Sequence, residues 1–210
     1  MNRHDFLAQL HVLLDPRVYF EIGVQWGASL RLATNALVAV GVDPNPLVTA
    51  SHNQVIYSMP SDAYFKDDFA PYRTSGLVDF AFIDGDHHYE QVVRDFYNTQ
   101  RTCRPEAVIA FDDMLPYSQD VGGRDMVPGH WAGDVWRAAP IIQANQPDLT
   151  LTYVDVDPTG LLLVWDLDPT FDPGPLSLPH TAETVPDYVI NRSYALQPEA
   201  ALALVASRGA

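Results

Sequence analysis

Short apolar runs alternate with amphipathic stretches along most of this chain, as far as about Trp165. Such alternation is typical of strands and helices that follow one another in a parallel sheet, because each parallel crossover needs a connection of helix length. We therefore expect an α/β fold with a mostly parallel seven-stranded sheet and helices on both faces. The predicted strands are Val18–Ile22, Val38–Val42, Gln54–Ser58, Val78–Ile83, Ala107–Phe111, Leu149–Val154 and Leu161–Trp165.

The amphipathic stretches between these runs predict the helices. They are Asp5–Leu14, Gly27–Ala36, Asp62–Ala70, Tyr89–Arg101, Gly133–Ala144 and Pro198–Ser207. The last two strands are joined by the stretch 155–160, which is rich in turn-forming residues and too short for a parallel crossover. These two strands should therefore form an antiparallel hairpin at one edge of the sheet.

A chain of 210 residues, 47% of them hydrophobic, is long enough for one well-buried core. We predict one domain over residues 1–168, with a helix within residues 1–15, and an extension over residues 169–210. The extension is rich in proline and ends in the apolar stretch Ala200–Ala206. A segment of this kind can pack across a partner subunit, so we expect a homodimer; a loosely packed tail is the alternative.

The net charge of the chain limits the classes of molecule that it can bind. Twelve basic residues face twenty-seven acidic ones, and the net charge of −15 would repel a nucleic-acid backbone. The first fifteen residues mix charge with histidine and lack the apolar run of a signal peptide or membrane span. The single Cys103 excludes an internal disulfide. We expect a cytoplasmic protein that acts on a small molecule and binds neither nucleic acid nor membrane.

An apolar strand that ends in Glu21 is followed by two glycines, Gly23 and Gly27, at the predicted start of a helix. Glycines let the backbone approach a ligand closely, and a helix N-terminus offers free N–H groups. The spacing differs from the Gly-x-Gly-x-x-Gly pattern that suits a dinucleotide pyrophosphate. Because Glu21 lies one turn below the glycines, we expect a ligand with an amino group; a purely structural turn is the alternative.

Asp43 ends the second predicted strand, about twenty residues after the glycine turn. An acid in this position can accept both hydroxyl groups of a ribose. The alternative is that Asp43 only begins a turn together with Pro44. Together with the glycine turn, Asp43 favours a ligand that contains an adenosine-like ribose.

The fourth strand runs directly into Asp84-Gly85-Asp86-His87-His88-Tyr89-Glu90, and the fifth delivers Asp112 and Asp113. Here the chain resembles the class I S-adenosylmethionine-dependent methyltransferases, which have a Rossmann-like sheet, and in particular small bacterial sugar and natural-product O-methyltransferases. The resemblance covers about Val18 to Asp168, and in motif and size it extends to the methylmannose-polysaccharide O-methyltransferases. It implies that the following residues hold S-adenosylmethionine: Glu21, Gly23, Gly27, Ser29, Asp43, Ser61, Asp62 and Asp84.

The resemblance also implies that the fourth and fifth strands are neighbours, with tips about 4.8 Å apart. Asp84, Asp112 and Asp113 would then converge, and three carboxylates in one crevice repel each other unless a cation lies among them. An all-oxygen ligand set suits Mg²⁺, or Mn²⁺ or Ca²⁺. Helix capping by the acid pair is the alternative.

In the resembling enzymes the first histidine after the acid motif takes the proton from the acceptor hydroxyl, so we predict this catalytic role for His87. Residues that could bind the acceptor are His88, Tyr89, His130 and Trp131. Packing against the helix is the alternative for His87 and His88.

The sequence thus predicts a Mg²⁺-dependent O-methyltransferase that acts on a hydroxyl of a small acceptor, with a saccharide favoured. One alternative is an iron- and 2-oxo-acid-dependent hydroxylase, because cephalosporin-hydroxylase-like enzymes share this scaffold. The other is a non-catalytic protein that binds an adenosine ligand.

Overall fold

The computed structural model describes residues 1–66, 77–176, 178 and 184–208. Its strands are β1 (Val18–Ile22), β2 (Val38–Asp43), β3 (Gln54–Ser58), β4 (Val78–Ile83), β5 (Cys103–Phe111), β6 (Thr150–Val154) and β7 (Leu161–Trp165). Its helices are α1 (Arg3–Leu14), α2 (Ser61–Lys66), α3 (Tyr89–Gln100), α4 (Ala138–Asn145), α5 (Asp187–Ile190) and α6 (Pro198–Arg208). Short 3-10 turns occur at Leu30–Leu32 and Val135–Arg137.

The strands form one sheet in the order β3-β2-β1-β4-β5-β7-β6. Strands β1 to β5 are parallel, whereas β7 runs antiparallel to both β5 and β6. The predicted Rossmann-like sheet with an antiparallel edge hairpin is confirmed. The strand order reverses between β1 and β4, and ligands of open α/β sheets bind at the carboxyl ends of strands beside such a reversal. Residue Ile83 at the end of β4 pairs with Phe111 at the end of β5.

Apolar side chains of successive strand residues enter opposite faces of the sheet, as the period of two requires. Phe20 and Ile22 of β1 lie in a core with residues of α3 and α4. Tyr19 lies in a second core, on the other face, with residues of α1 and α6. The helices therefore cover both faces, as predicted.

Helix α1 begins where the side chain of Asn2 accepts a hydrogen bond from the main-chain N–H of Asp5. It ends at Asp15, which has the left-handed backbone (φ 41°) common at helix C-termini. The main-chain N–H of Arg3 donates to the carbonyl of Asp157 at 3.0 Å. The first turn of α1 is thereby fixed beside the β6–β7 loop, at the carboxyl end of the sheet.

The helix predicted over Gly27–Ala36 is wrong, because this stretch contains only the short 3-10 turn. The side-chain amide of Asn53 donates to the carbonyls of Ala33 and Ala36, and that of Gln54 donates to the carbonyl of Leu30. These carbonyls are therefore satisfied without helical hydrogen bonds. A helix of this length has little stability of its own, so such local contacts can replace it.

Helix α6, in the C-terminal extension, packs against the rest of the chain. Ala201, Leu202 and Val205 are buried in the core cluster that also contains residues of α1. The short helix α5 was not predicted from the sequence. The division of the chain near residue 168 and the homodimer stay predictions. Of the predicted helix Asp62–Ala70, residues 67–70 lie outside the described residues.

Every helix in the described part of the chain is too short or too polar to cross a membrane.

Candidate functional site

A cleft of about 910 Å³ opens at the carboxyl ends of the strands. Residues that follow β1, β2, β4 and β5 line it, together with the first turn of α1, residues 129–131 and the β6–β7 loop. Its size lies in the range of sites for small molecules and cofactors. The two parts of the predicted site, the ligand-binding strand ends and the acid group, open into this one cleft.

The glycine turn after β1 is packed directly against the end of β4. Gly23 has φ +90°, and a Cβ atom there would collide with the carbonyl group of Asp84 and the main-chain nitrogen of Gly85. Gly23 lines the cleft, and Gly27 (φ +67°) is buried behind it. Only glycine suits the position of Gly23, because both its backbone conformation and the space around it exclude a side chain.

Glu21 and Ser29 were predicted to hold the ligand, but their side chains form a closed group below the cleft. The Tyr19 hydroxyl donates to Oε2 of Glu21 at 2.6 Å, and the Ser29 hydroxyl donates to Oε1 at 2.9 Å. Glu21 is completely buried, and burial raises the pKa of its carboxyl group to about 8. The period of two explains the difference, since Glu21 points with Tyr19 into the layer between the sheet and α1.

Asp43 lies at the tip of β2 and lines the cleft. Its Oδ2 accepts the main-chain N–H of Gln25 at 2.8 Å, and its Oδ1 accepts that of Asn45 at 2.7 Å. These two bonds fix the orientation of the carboxylate. Each oxygen retains a lone pair, so the group can still accept hydroxyl donors from a ligand.

Ser61 and Asp62, at the start of α2, also line the cleft, and their contact with the donor stays a prediction. The side-chain amide of Gln91 donates to Ser61, Asp62 and Asp95 at distances of 3.0 to 3.3 Å. Burial raises the pKa of Asp95 to about 6, although hydrogen bonds from Ser61 and Gln91 oppose the shift. This end of the cleft therefore carries several fixed polar groups.

At the other end of the cleft the structure brings together Asp84, His87 and Asp113. Their ligand atoms all lie within 4.8 Å of one another. Nε2 of His87 is 3.8 Å from Oδ1 of Asp84 and 3.3 Å from Oδ2 of Asp113. Burial, followed by the nearby charge of Asp84, raises the pKa of the Asp113 carboxyl group.

Asp112 was predicted to join this group, but its carboxylate is bound elsewhere. Oδ1 accepts the main-chain N–H of Asp113, and Oδ2 contacts the guanidinium group of Arg3. The same guanidinium lies 3.6 Å from Oδ2 of Asp84. Asp113 has a left-handed backbone (φ +63°). At this turn after β5, the carboxylates of Asp112 and Asp113 lie apart from each other.

His87 is held from two sides by Trp131. Its Nδ1 lies 2.8 Å from the Trp131 carbonyl oxygen, and the two rings are stacked with centroids 5.1 Å apart. Burial lowers the pKa of His87, but Asp84, Asp113 and the Trp131 carbonyl outweigh this effect and raise the pKa to about 9.

The segment that carries Trp131 is fixed against the start of α3. Gly133 (φ +65°) packs so closely on His87 that a Cβ atom would collide with its carbonyl group. Asp134, which is 5% exposed, accepts the main-chain N–H of Tyr89 and a hydrogen bond from Arg124. The position of Trp131 is therefore fixed by backbone contacts and by a buried charged group.

The residues predicted to bind the acceptor have different positions. Tyr89 is completely buried in the core with Arg137 over its ring, so its predicted contact with the acceptor is wrong. His88 precedes α3 and does not line the cleft itself; its side chain contacts Asp86, and its ring lies edge-on to that of Trp131. His130 and Trp131 line the cleft, and their contact with the acceptor stays a prediction.

Several residues of the cleft were not predicted from the sequence. Arg3 is distant in sequence from the motifs that follow β4 and β5. No local sequence pattern indicates that α1 begins beside Asp84 and Asp112. Gln91 and Asp95 were treated as ordinary helix residues, although their spacing places both on one face of α3. The residues of the β6–β7 loop that line the cleft are Asp157, Pro158 and Thr159.

Residues 20–114 match a protein family described as a methyltransferase domain. Among similar solved structures, cofactor-bound Rv0187 from MTB is 20% identical, with a TM-score of 0.60 and 78% of each chain covered. The O-methyltransferase TomG from Streptomyces achromogenes, in complex with SAM, is 18% identical, with a TM-score of 0.59 and 78% of each chain covered.

An O-methyltransferase from Bacillus cereus, in complex with SAH, is 18% identical, with a TM-score of 0.58; 77% of this chain and 79% of that chain are covered. At these identities the solved structures establish the fold. No curated protein sequence matches this chain.

Proposed function

Because residues 20–114 match a methyltransferase domain, we propose that this chain transfers a methyl group from S-adenosylmethionine to a hydroxyl oxygen of a small acceptor. The match confirms the class of enzyme predicted from the sequence, a methyltransferase. One observation supports the finer proposal above all. The glycine turn and the acid group share one cleft, and Gly23 packs directly against Asp84.

The donor would occupy the part of the cleft between Gly23, Asp43 and Ser61. The Asp43 carboxylate, held by two main-chain N–H groups, is suited to accept the ribose hydroxyls. The polar group around Ser61 and Gln91 offers donors and acceptors for the edge of an adenine ring. With the nucleoside between these groups, the sulfonium end would point toward Asp84.

The chemistry of the acid group fits a divalent cation. Asp84 and Asp113 converge with a histidine nitrogen, and two carboxylates at this separation repel each other without a positive charge among them. A cation held there supplies a Lewis acid that lowers the pKa of an acceptor hydroxyl and orients it. Mg²⁺, Mn²⁺ and Ca²⁺ all accept carboxylate ligands, and Mg²⁺ dependence is part of this proposal.

The acceptor would lie on the other side of the acid group, beside Trp131 and His130. The indole of Trp131 is held by a hydrogen bond from its Nε1 to the carbonyl of Gly123 and offers an apolar surface beside His87. Such a ring can stack on the face of a sugar or an aryl group. The surrounding carboxylates disfavour an anionic acceptor. We therefore propose a neutral hydroxyl compound, with a saccharide as the first candidate.

The two alternatives from the sequence have less support. The match to a methyltransferase domain and the structural likeness to O-methyltransferases favour methyl transfer over an iron- and 2-oxo-acid-dependent hydroxylation. A non-catalytic adenosine-binding protein would have no use for the buried acid group beside the ligand cleft.

Incubation with methyl-labelled S-adenosylmethionine and a panel of monosaccharides and catechols tests the proposal. We expect label on a saccharide hydroxyl and a loss of transfer in Asp84→Asn. The control is Asp148→Asn, whose carboxylate is exposed and lies outside the cleft. Tight binding of S-adenosylhomocysteine without transfer to any hydroxyl would instead support the non-catalytic alternative.

A further inference from the structure

We propose that the cation site consists of Asp84, His87 and Asp113, with Nε2 of His87 as a nitrogen ligand, and that Arg3 keeps Asp112 out of the site. The inference rests on the proposed function, because it names the ligands of the cation in that same cleft. It replaces the all-carboxylate set and the role of His87 as the catalytic base, both predicted from the sequence.

The separations of the three side chains support a common ion. Nε2 of His87 lies 3.3 Å from Asp113 and 3.8 Å from Asp84. Two adjacent ligands at about 2.1 Å from one ion are about 3 Å apart, so a small movement of the side chains completes the site. The Asp113 side chain is 9% exposed, and its carboxylate oxygen faces the ring of His87.

The orientation of His87 is that of a metal ligand. A carbonyl oxygen can only accept a hydrogen bond, so Nδ1 carries the hydrogen that Trp131 receives at 2.8 Å. The lone pair of the neutral ring is then on Nε2, which faces the two carboxylates. Histidines that bind metals commonly donate their other N–H to a carbonyl or carboxylate in this way. Gly133 and Trp131 fix the ring in this orientation.

Arg3 accounts for the separate position of Asp112. The side chain of Asp112 is 1% exposed, and its two oxygens contact the guanidinium group of Arg3 and the main-chain N–H of Asp113. A guanidinium is always charged and neutralises this buried carboxylate without help from an ion. Arg3 itself is fixed by the first turn of α1, whose main chain bonds to Asp157.

The ligand set has a consequence for metal choice. Imidazole favours transition metals, whereas Mg²⁺ and Ca²⁺ prefer oxygen ligands. We therefore expect Mn²⁺ and Co²⁺ to bind more tightly than Mg²⁺. If Nε2 of His87 binds the ion, it is not free to take the acceptor proton, and that role would pass to another histidine that lines the cleft, His4 or His130.

Pulsed electron paramagnetic resonance of the Mn²⁺-loaded protein tests the nitrogen ligand directly. We expect a nitrogen coupling in the wild type and in His88→Ala, the matched control at the adjacent histidine, and its loss in His87→Ala. Calorimetric titration with Mn²⁺ should show at least tenfold weaker binding in His87→Ala. Asp112→Asn should remain within about threefold of the wild type.

Arg3→Met provides a second test, because it leaves the three proposed ligands intact. Freed from Arg3, Asp112 should turn toward the ion, and Mg²⁺ affinity should rise relative to that of Mn²⁺. Thermal unfolding of each variant verifies that it is folded.

Three results would overturn the inference: no Mn²⁺ binding at millimolar concentration, no nitrogen coupling in the wild type, or weaker Mn²⁺ binding in Asp112→Asn than in His87→Ala. The second would leave His87 as a protonated partner of the acids. Titration of the same samples with S-adenosylhomocysteine separates this failure from that of the proposed function. Donor binding without the nitrogen coupling contradicts only the ligand assignment, whereas absence of donor binding contradicts the function.

Discussion

The main chain of Gly23 lies directly against the carbonyl group of Asp84, with no room between them for a side chain. The end of β1, which carries the glycine turn, is thereby joined to the end of β4, which carries the first acid of the cation group. Under the proposed function, binding of the donor and of the cation should therefore both depend on one backbone contact between neighbouring strands.

We predict that Gly23→Ala weakens binding of both S-adenosylhomocysteine and Mn²⁺ by at least tenfold, because the added methyl group displaces the Asp84 peptide. Calorimetric titration measures both affinities. Gly174→Ala is the control, since Gly174 also has a positive φ (+62°) but no atom within 4 Å of an added Cβ. Equal effects of the two substitutions would show that backbone strain, and not the contact, is responsible.

Asp43→Asn should weaken S-adenosylhomocysteine binding by about tenfold or more. An amide replaces one acceptor oxygen with a donor and removes the charge that strengthens hydrogen bonds from the ribose, a loss of about 1.5–3 kcal/mol. Asp148→Asn, at an exposed carboxylate, should have no effect. Unchanged affinity in Asp43→Asn would place the ribose elsewhere in the cleft.

Glu21→Gln should leave donor affinity within about twofold of the wild type, because Glu21 is enclosed by Tyr19 and Ser29 below the cleft. Burial raises the pKa of Glu21 from 4.5 to about 8. Because the folded protein binds this proton more tightly than the unfolded chain does, the contribution of Glu21 to stability is fully present below pH 4.5. The contribution is lost as the pH rises through about 8.

Between these two values the free energy of unfolding of the wild type should fall by up to about 1.4 kcal/mol per pH unit from this group. Glu21→Gln should show a shallower decrease in urea unfolding at pH 5 and pH 8. A parallel decrease in both proteins would mean that Glu21 is already ionised in the folded state.

His11 should make the protein sensitive to acid. It lies between the rings of Tyr19 and Phe80, and burial lowers its pKa from 6.5 to about 4. The unfolded chain therefore binds the proton more readily, and the stabilising contribution present above pH 6.5 is lost as the pH falls to about 4.

In His11→Phe this acid-dependent loss, at most about 3.4 kcal/mol, should disappear. Thermal unfolding between pH 4 and pH 7 measures it. The exposed His52 provides the control substitution His52→Phe, which should retain the wild-type pH dependence. A wild-type curve that is flat over this range would contradict the buried neutral state of His11.

The sequence predicted the sheet well because its strands are short apolar runs, and β1, β2, β4 and β7 are buried over most of their length. Four of the seven predicted strands, β1, β3, β4 and β7, have the predicted bounds. The missing helix after β1 could not be predicted in the same way. Its residues are acceptable in a helix, and the contacts that replace it come from Asn53 and Gln54 on the next connection.

The site was predicted at the level of strand ends and less well at the level of individual side chains. Parallel strands bring Asp84 and Asp113 to one edge, as the motifs indicate. The direction of each side chain depends on contacts distant in sequence: Tyr19 and Ser29 enclose Glu21, and Arg3 binds Asp112. A sequence motif can therefore predict that an acidic residue lies at the end of a strand, but it does not determine the direction of the side chain.

Calorimetric titration of the wild-type protein with S-adenosylhomocysteine is the most direct test of the central claim, that this cleft binds the methyl donor. The structure predicts saturable binding of one ligand per chain, weakened at least tenfold by Asp43→Asn and unchanged by Asp148→Asn. No heat of binding in the wild-type protein, or equal binding in all three proteins, would contradict it.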